Sequence, residues 1–152
     1  MTKKKITINN NSLIEQFGMK PYKLRVKEKY MSKRQLNHFK KILNSWKGQL
    51  EQEAEKTVNH MQKDSNSLAD PNDRATQESE FGLELRTRDR ERKLIRKIQS
   101  SLIKIDDGTF GYCSETGEQI GLQRLEARPV ASLTLEAQER REITEKQFND
   151  NR

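Results

Sequence analysis

A chain of 152 residues with 31% hydrophobic and 35% charged residues has little apolar material for a compact core. That balance fits a long solvated helical element on one small domain better than an α/β globule. Of the net charge of +7, the first 30 residues hold eight Lys/Arg against two acids and the rest hold 22 against 21, so the basic character belongs to an N-terminal arm.

The chain opens Met1-Thr-Lys-Lys-Lys and continues Ile6-Thr-Ile-Asn, without the apolar centre of a signal peptide. Residues 1–12 are rich in Lys and Asn and are expected to be disordered. Ser12 then caps a short helix with Glu15 three residues on, Gly18 ends it, and Pro21 keeps the chain extended into a polar connector over 22–31. Ser32, followed by Gln35, is the N-cap expected for a first long helix. Its apolar positions are Leu36, Phe39, Leu43, Trp46, Leu50, Ala54, Thr57 and Met61, at alternating steps of three and four, the spacing of a coiled-coil seam.

Asp70-Pro-Asn-Asp-Arg-Ala75 interrupts the pattern. A second long helix follows, with a seam through Phe81, Leu85, Arg88, Arg92, Ile95, Ile98, Leu102 and Ile105. Each helix is about 50 Å long at 1.5 Å per residue. Both are apolar far from the break and polar near it, which an antiparallel hairpin explains better than a parallel homodimeric coiled coil. Asp106-Asp107-Gly108 ends the second helix. Residues 109–121 hold three more glycines and read as short strands and turns, a small knuckle. Leu122–Arg128 is a connector, and Leu135–Phe148 a final charged helix. No apolar run approaches the length of a membrane span. The single cysteine, Cys113, excludes an intramolecular disulfide framework and fits a reducing cytoplasm. The expected fold is therefore mainly α. Residues 1–31 and the C-terminal helix, 135–152, join the knuckle at 108–134 in a small globular domain, and 32–107 form the hairpin with its tip at 69–75.

At the tip, Asp70 as N-cap, Pro71 at the first helical position and Asp73 at the third are what a helix start prefers. The same geometry presents carboxylates at the end of a long arm, because a cap also fixes where they point. Arg86–Lys97 is the densest charge cluster: a solvated helix face, or a surface for an acidic partner or a small polyphosphate, with Arg128 a further phosphate donor. His38 and His60 lack a neighbouring nucleophile or ligand residue in the sequence. No phosphate-binding glycine loop, Ser/His/Asp set or zinc-protease motif is present, so an enzyme is not expected. No helical recognition pattern supports sequence-specific DNA binding.

Met31–Phe39, His60-Met61-Gln62, Asp70–Ala75, Leu83–Ile95, Phe110-Gly-Tyr-Cys113 and Arg124–Pro129 resemble the DksA/TraR family of bacterial transcription factors, and the likeness runs from about residue 20 to the C-terminus. The resemblance implies a coiled-coil arm on a globular domain that contains a zinc ribbon. It implies binding to RNA polymerase through the secondary channel, with the acidic tip near the active centre, loss of promoter open complexes, and action with the alarmone ppGpp in the stringent response. The family's tip residues match Asp70, Asp73 and Ala75, and its contact with the polymerase rim matches Arg90. Its ppGpp-site residues match Leu94, Lys97 and Arg128, while a further basic position falls on the uncharged Gln138.

The family's four zinc cysteines fall on Cys113, Thr116, Thr134 and Ala137, of which one is a thiol. Structural zinc needs four donors in a tetrahedron. No metal is therefore expected, the chain looks like the zinc-free branch of the family, and packing by Phe110, Tyr112, Ile120, Leu122, Leu133 and Leu135 must replace it. Cys113 reads as a core remnant rather than a redox sensor. The resulting expectation is a monomeric, cytoplasmic, non-enzymatic regulator. The alternative is a Gre-like factor whose tip acids hold Mg²⁺ for transcript cleavage. A purely structural scaffold explains neither knuckle nor tip.

Overall fold

The computed structural model describes residues 13–64 and 70–151. Residues 1–12, including the expected cap Ser12, and residue 69 of the expected tip lie outside them. The helices are α1 (Leu13–Gln16), α2 (Lys33–Asp64), α3 (Pro71–Asp107), α4 (Leu122–Ala127) and α5 (Leu135–Asp150). The described residues fall into two compact units, Leu43–Phe110 and the remaining residues on either side of it.

The start of α2 and the end of α3 follow their local chemistry. Ser32 Oγ accepts the Gln35 N–H at 3.3 Å, while Gln35 Oε1 accepts the Met31 N–H at 2.8 Å. The box therefore closes one residue earlier than the usual reciprocal pattern. Gly108 closes α3 in the left-handed region at φ 76°, with Thr109 N–H bonded to Lys104 O at 2.9 Å. Gly18 ends α1 in the same conformation, φ 64°. α1 packs against α4, and Ile14 and Leu125 are both fully buried.

Within Leu43–Phe110 the two long helices pack as a hairpin. Leu43, Leu50, Ile98, Ile105 and Phe110 are buried, and each such side chain contributes about 1.5–3 kcal/mol. Toward the tip the seam thins to half-buried Ala54, Thr57 and Met61 on α2. On α3 its path departs from the sequence reading. Leu85 and Arg92 are exposed, and Glu84 and Glu91 are half-buried in their place, between Phe81, Arg88 and Ile95. Steps of three and four connect Phe81 to Ile95 through either set. The polar neighbour on α2 favours the glutamates, because His60 Nδ1 lies 3.9 Å from Glu84 Oε1.

In the other unit the expected strands of the knuckle do not form among the described residues. One antiparallel bridge, Tyr112 to Gln119, holds the turn, and the connector after it is the helix α4. The core contains Ile120, Leu125, Val130, Leu133 and Ala137. Tyr112 and Leu135, expected inside, are 37% and 58% exposed. Pro129 and Leu125 supply the volume instead.

Candidate functional site

The tip is built by one side chain. Asp70 has extended φ/ψ of −80° and 127°, and its Oδ1 accepts the Asn72 N–H at 3.1 Å while its carbonyl accepts from Arg74 N at 3.0 Å. Pro71 follows at the first helical position, where its missing N–H costs nothing. Asp70 through Ala75 are all exposed. One oxygen of the exposed Asp70 carboxylate therefore serves the helix, and Asp73, in the first turn of α3 and at the positive end of its dipole, is a second acid exposed to solvent.

Further along α3, Arg90 and Lys97 are exposed and Leu94 is half-buried. Arg86 Nε donates to Gly82 O at 3.3 Å, and Arg92 lies 3.9 Å from Asp89. Arg128 is the C-cap of α4; its N–H bonds to Arg124 O at 2.8 Å and its side chain is exposed. It borders a groove lined also by Tyr30, Ile120, Leu122 and Leu135. Leu94 and Lys97 belong to the hairpin unit and Arg128 to the other. Gln138, at the fourth position, donates to Glu142 Oε1 at 2.8 Å along α5.

Of the four positions of the knuckle, Cys113 and Ala137 are buried in one packed cluster, Thr134 is half-buried and Thr116 is exposed. Cys113 is 4% exposed and clusters with Leu133 and fully buried Ala137. Thr134 is the N-cap of α5: Oγ1 accepts the Ala137 N–H at 3.3 Å, and its hydroxyl points to Cys113 Sγ at 4.0 Å. Thr116 Oγ1 accepts the Glu118 N–H at 3.3 Å. Burial pushes the Cys113 thiol up. The Thr116 hydroxyl and the backbone around Thr134, Thr116 and Glu115 outweigh this and bring it down to about 6. A zinc ion does not fit these residues, because Ala137 has no donor atom, the Thr134 hydroxyl caps a helix, and one thiolate cannot supply a tetrahedron. Among the described residues no group of three or more His, Cys, Asp or Glu side chains is placed to hold a metal ion.

Two residues that the sequence did not single out hold this unit in shape. The Tyr30 hydroxyl donates to Gly111 O at 2.7 Å and accepts the Gly121 N–H at 3.0 Å, tying both edges of the knuckle to one side chain. Its ring meets Tyr112 edge-on at 5.6 Å. Glu126 accepts the Tyr22 N–H at 2.6 Å and lies 3.6 Å from His38 Nε2. Burial pushes the His38 pKa down against the pull of Glu126. No local pattern marks either residue, since their hydrogen bonds span 81 to 104 positions of sequence.

Residues 35–105 match the family model described as DnaK suppressor protein DksA, N-terminal domain, and residues 108–142 match prokaryotic dksA/traR C4-type zinc finger. A Haemophilus influenzae protein named RNA polymerase-binding transcription factor DksA is 53% identical over 90% of this chain and 94% of its own length. The chain belongs to the DksA family. The Escherichia coli K12 DksA of the same name is 50% identical over 90% of this chain and 91% of its own. The solved transcription factor DksA2 from Pseudomonas aeruginosa superposes with a TM-score of 0.72 at 35% identity, covering 77% of this chain and 90% of that one. This DksA-family chain thus matches a four-cysteine model over its knuckle while keeping one cysteine there.

Proposed function

We propose that this protein is a non-enzymatic transcription regulator that binds RNA polymerase as a monomer in the cytoplasm. The hairpin enters the secondary channel, Asp73 is presented near the active centre, and promoter open complexes are destabilised. Family membership supports the partner, since the relatives are named as RNA polymerase-binding factors. The observation that carries the mode of action is the capped tip: Asp70 fixes the helix start and leaves Asp73 exposed at the end of the hairpin.

In this reading Arg90 makes the rim contact. Leu94, Lys97 and Arg128 take part in a ppGpp site completed by the polymerase, weakened by the Gln138–Glu142 pairing where a cation would otherwise stand. Structural zinc is not used; the Cys113–Leu133–Ala137 cluster and the Thr134 cap support the knuckle instead. Purified polymerase tests this directly. Arg90→Ala weakens association in a competition assay, whereas Asp73→Asn binds normally and no longer shortens promoter-complex lifetime. Efficient cleavage of backtracked RNA by the native chain, lost in Asp73→Asn, overturns the reading in favour of a cleavage factor.

A further inference from the structure

A groove of about 660 Å³ runs between the extended segment at residues 20–23 and the first turns of α2. Lys20, Lys23, Arg34 and Lys41 line it, and among the described residues no acidic one does. Arg34, Asn37, His38 and Lys41 stand at i, i+3, i+4 and i+7, so one helix face turns four nitrogen-bearing side chains toward it. The walls are fixed from behind. Tyr22 is held by its N–H to Glu126 and its hydroxyl to Glu28. The Arg34 guanidinium lies over the Tyr22 ring, 5.3 Å from its centroid, and the His38 ring is also 5.3 Å from it.

We propose that this groove binds a compact phosphate chain: pyrophosphate, tripolyphosphate or the phosphates of a nucleotide. Four cations are held around one concavity whose lining carries no carboxylate; Glu28, behind Tyr22, acts on Arg34, and a polyanion relieves the repulsion that remains. The volume lies in the small-ligand range of about 300–1,000 Å³, which suits a ligand that packs several charges into a short length. Carboxylates on a protein helix stand about 5–6 Å apart and spread the same charge over a longer path. Lysine supplies point charges and arginine a planar fork, both suited to phosphate oxygens. The Tyr22 ring is already engaged by Arg34 and His38, so recognition rests on phosphate rather than on stacking of a base. The groove shares no residue with Leu94, Lys97 and Arg128, and it does not depend on the polymerase reading.

Isothermal titration of the full chain with sodium tripolyphosphate at about 0.15 M salt tests the idea. Saturable one-to-one binding is expected, weakened about tenfold in Lys23→Ala/Lys41→Ala, since two exposed cationic contacts are removed. Lys56→Ala/Lys63→Ala, which removes equal charge from the hairpin, should change affinity by less than about twofold. ATP should bind within about twofold of tripolyphosphate; a much tighter ATP would mean that the base is read, which overturns the phosphate-only claim. Equal losses in the two double variants, or equal affinity for a Glu-rich peptide, also overturn it. Circular dichroism of both variants confirms that any loss is not unfolding.

Discussion

Replacing Thr134 by Val tests how the knuckle stands without a metal. The substitution keeps the β-branched shape and removes one hydroxyl that does two things: it caps α5 through the Ala137 N–H at 3.3 Å, and it reaches Cys113 Sγ at 4.0 Å. Loss of a threonine cap costs about 1 kcal/mol. The long contact to sulfur adds about 0.5 kcal/mol at most, below an ordinary hydrogen bond. The sum is about 1–1.5 kcal/mol. The chain has two units, so one unfolding free energy is not a well-defined quantity, and local amide exchange is the better assay. Exchange at Ala137 and Gln138 should accelerate about 5- to 12-fold in Thr134→Val and stay within about twofold in Thr134→Ser. Unchanged exchange in the valine variant, or equal acceleration in both variants, would refute the assignment of this support to the hydroxyl.

Three further outcomes follow from the same geometry. Thiolate absorbance of Cys113 should titrate with a midpoint of about 6, and Thr116→Val should move it upward because the strongest lowering contact is lost. The sign for stability follows: the folded pKa is depressed, so this contribution is fully present above the unfolded value of about 8.5 and is lost as pH falls through about 6. Denaturation midpoints measured across that window should therefore fall with falling pH, and less steeply in Thr116→Val. Thr116→Cys/Thr134→Cys/Ala137→Cys should acquire one zinc per chain by elemental analysis, whereas the native sequence, expressed and purified identically, should carry none. Gly111→Ala should weaken local protection by about 1–3 kcal/mol, read as faster amide exchange at Ile120, whose N–H bonds to Gly111 O, because φ is 89° and the new Cβ would lie 2.8 Å from the Met31 side chain.

The helices were legible because their signals are local. Pro71, the flanking caps and Gly108 mark both ends of α3, and the steps from Leu36 to Met61 trace a face that is nowhere fully exposed. The α3 seam was legible only where it is apolar. Between Phe81 and Ile95 two phases satisfy the same spacing, and hydrophobicity alone favours Leu85. The choice is made by what α2 offers opposite, namely His60 beside Glu84, and no single-helix pattern contains that. Leu83 and Leu85 consequently stand 60% and 50% exposed on the arm.

The knuckle was legible as a glycine-marked segment of turns, but the short strands expected with them do not form among the described residues. Glycines at 108, 111, 117 and 121 do mark turns, all at positive φ, but the chain between them makes one bridge. Its turns are held by Cys113 N–H to Glu118 O and Ile120 N–H to Gly111 O, and by Tyr30, which reaches Gly111 and Gly121 from outside the segment. Of the candidate site, the cap at Asp70 was visible in residue types alone. The roles of Glu126 and Tyr22 were not, because they depend on chain segments that meet only in the folded unit.

The proposed function joins an acidic tip that acts on polymerase to a base that needs no metal. Promoter open-complex lifetime measured with chelator-treated protein tests both parts at once. The account predicts that the treated native chain shortens the lifetime as much as untreated protein does, and that Asp73→Asn does not shorten it. Loss of the effect on chelation, restored by zinc, or full activity in Asp73→Asn would contradict it.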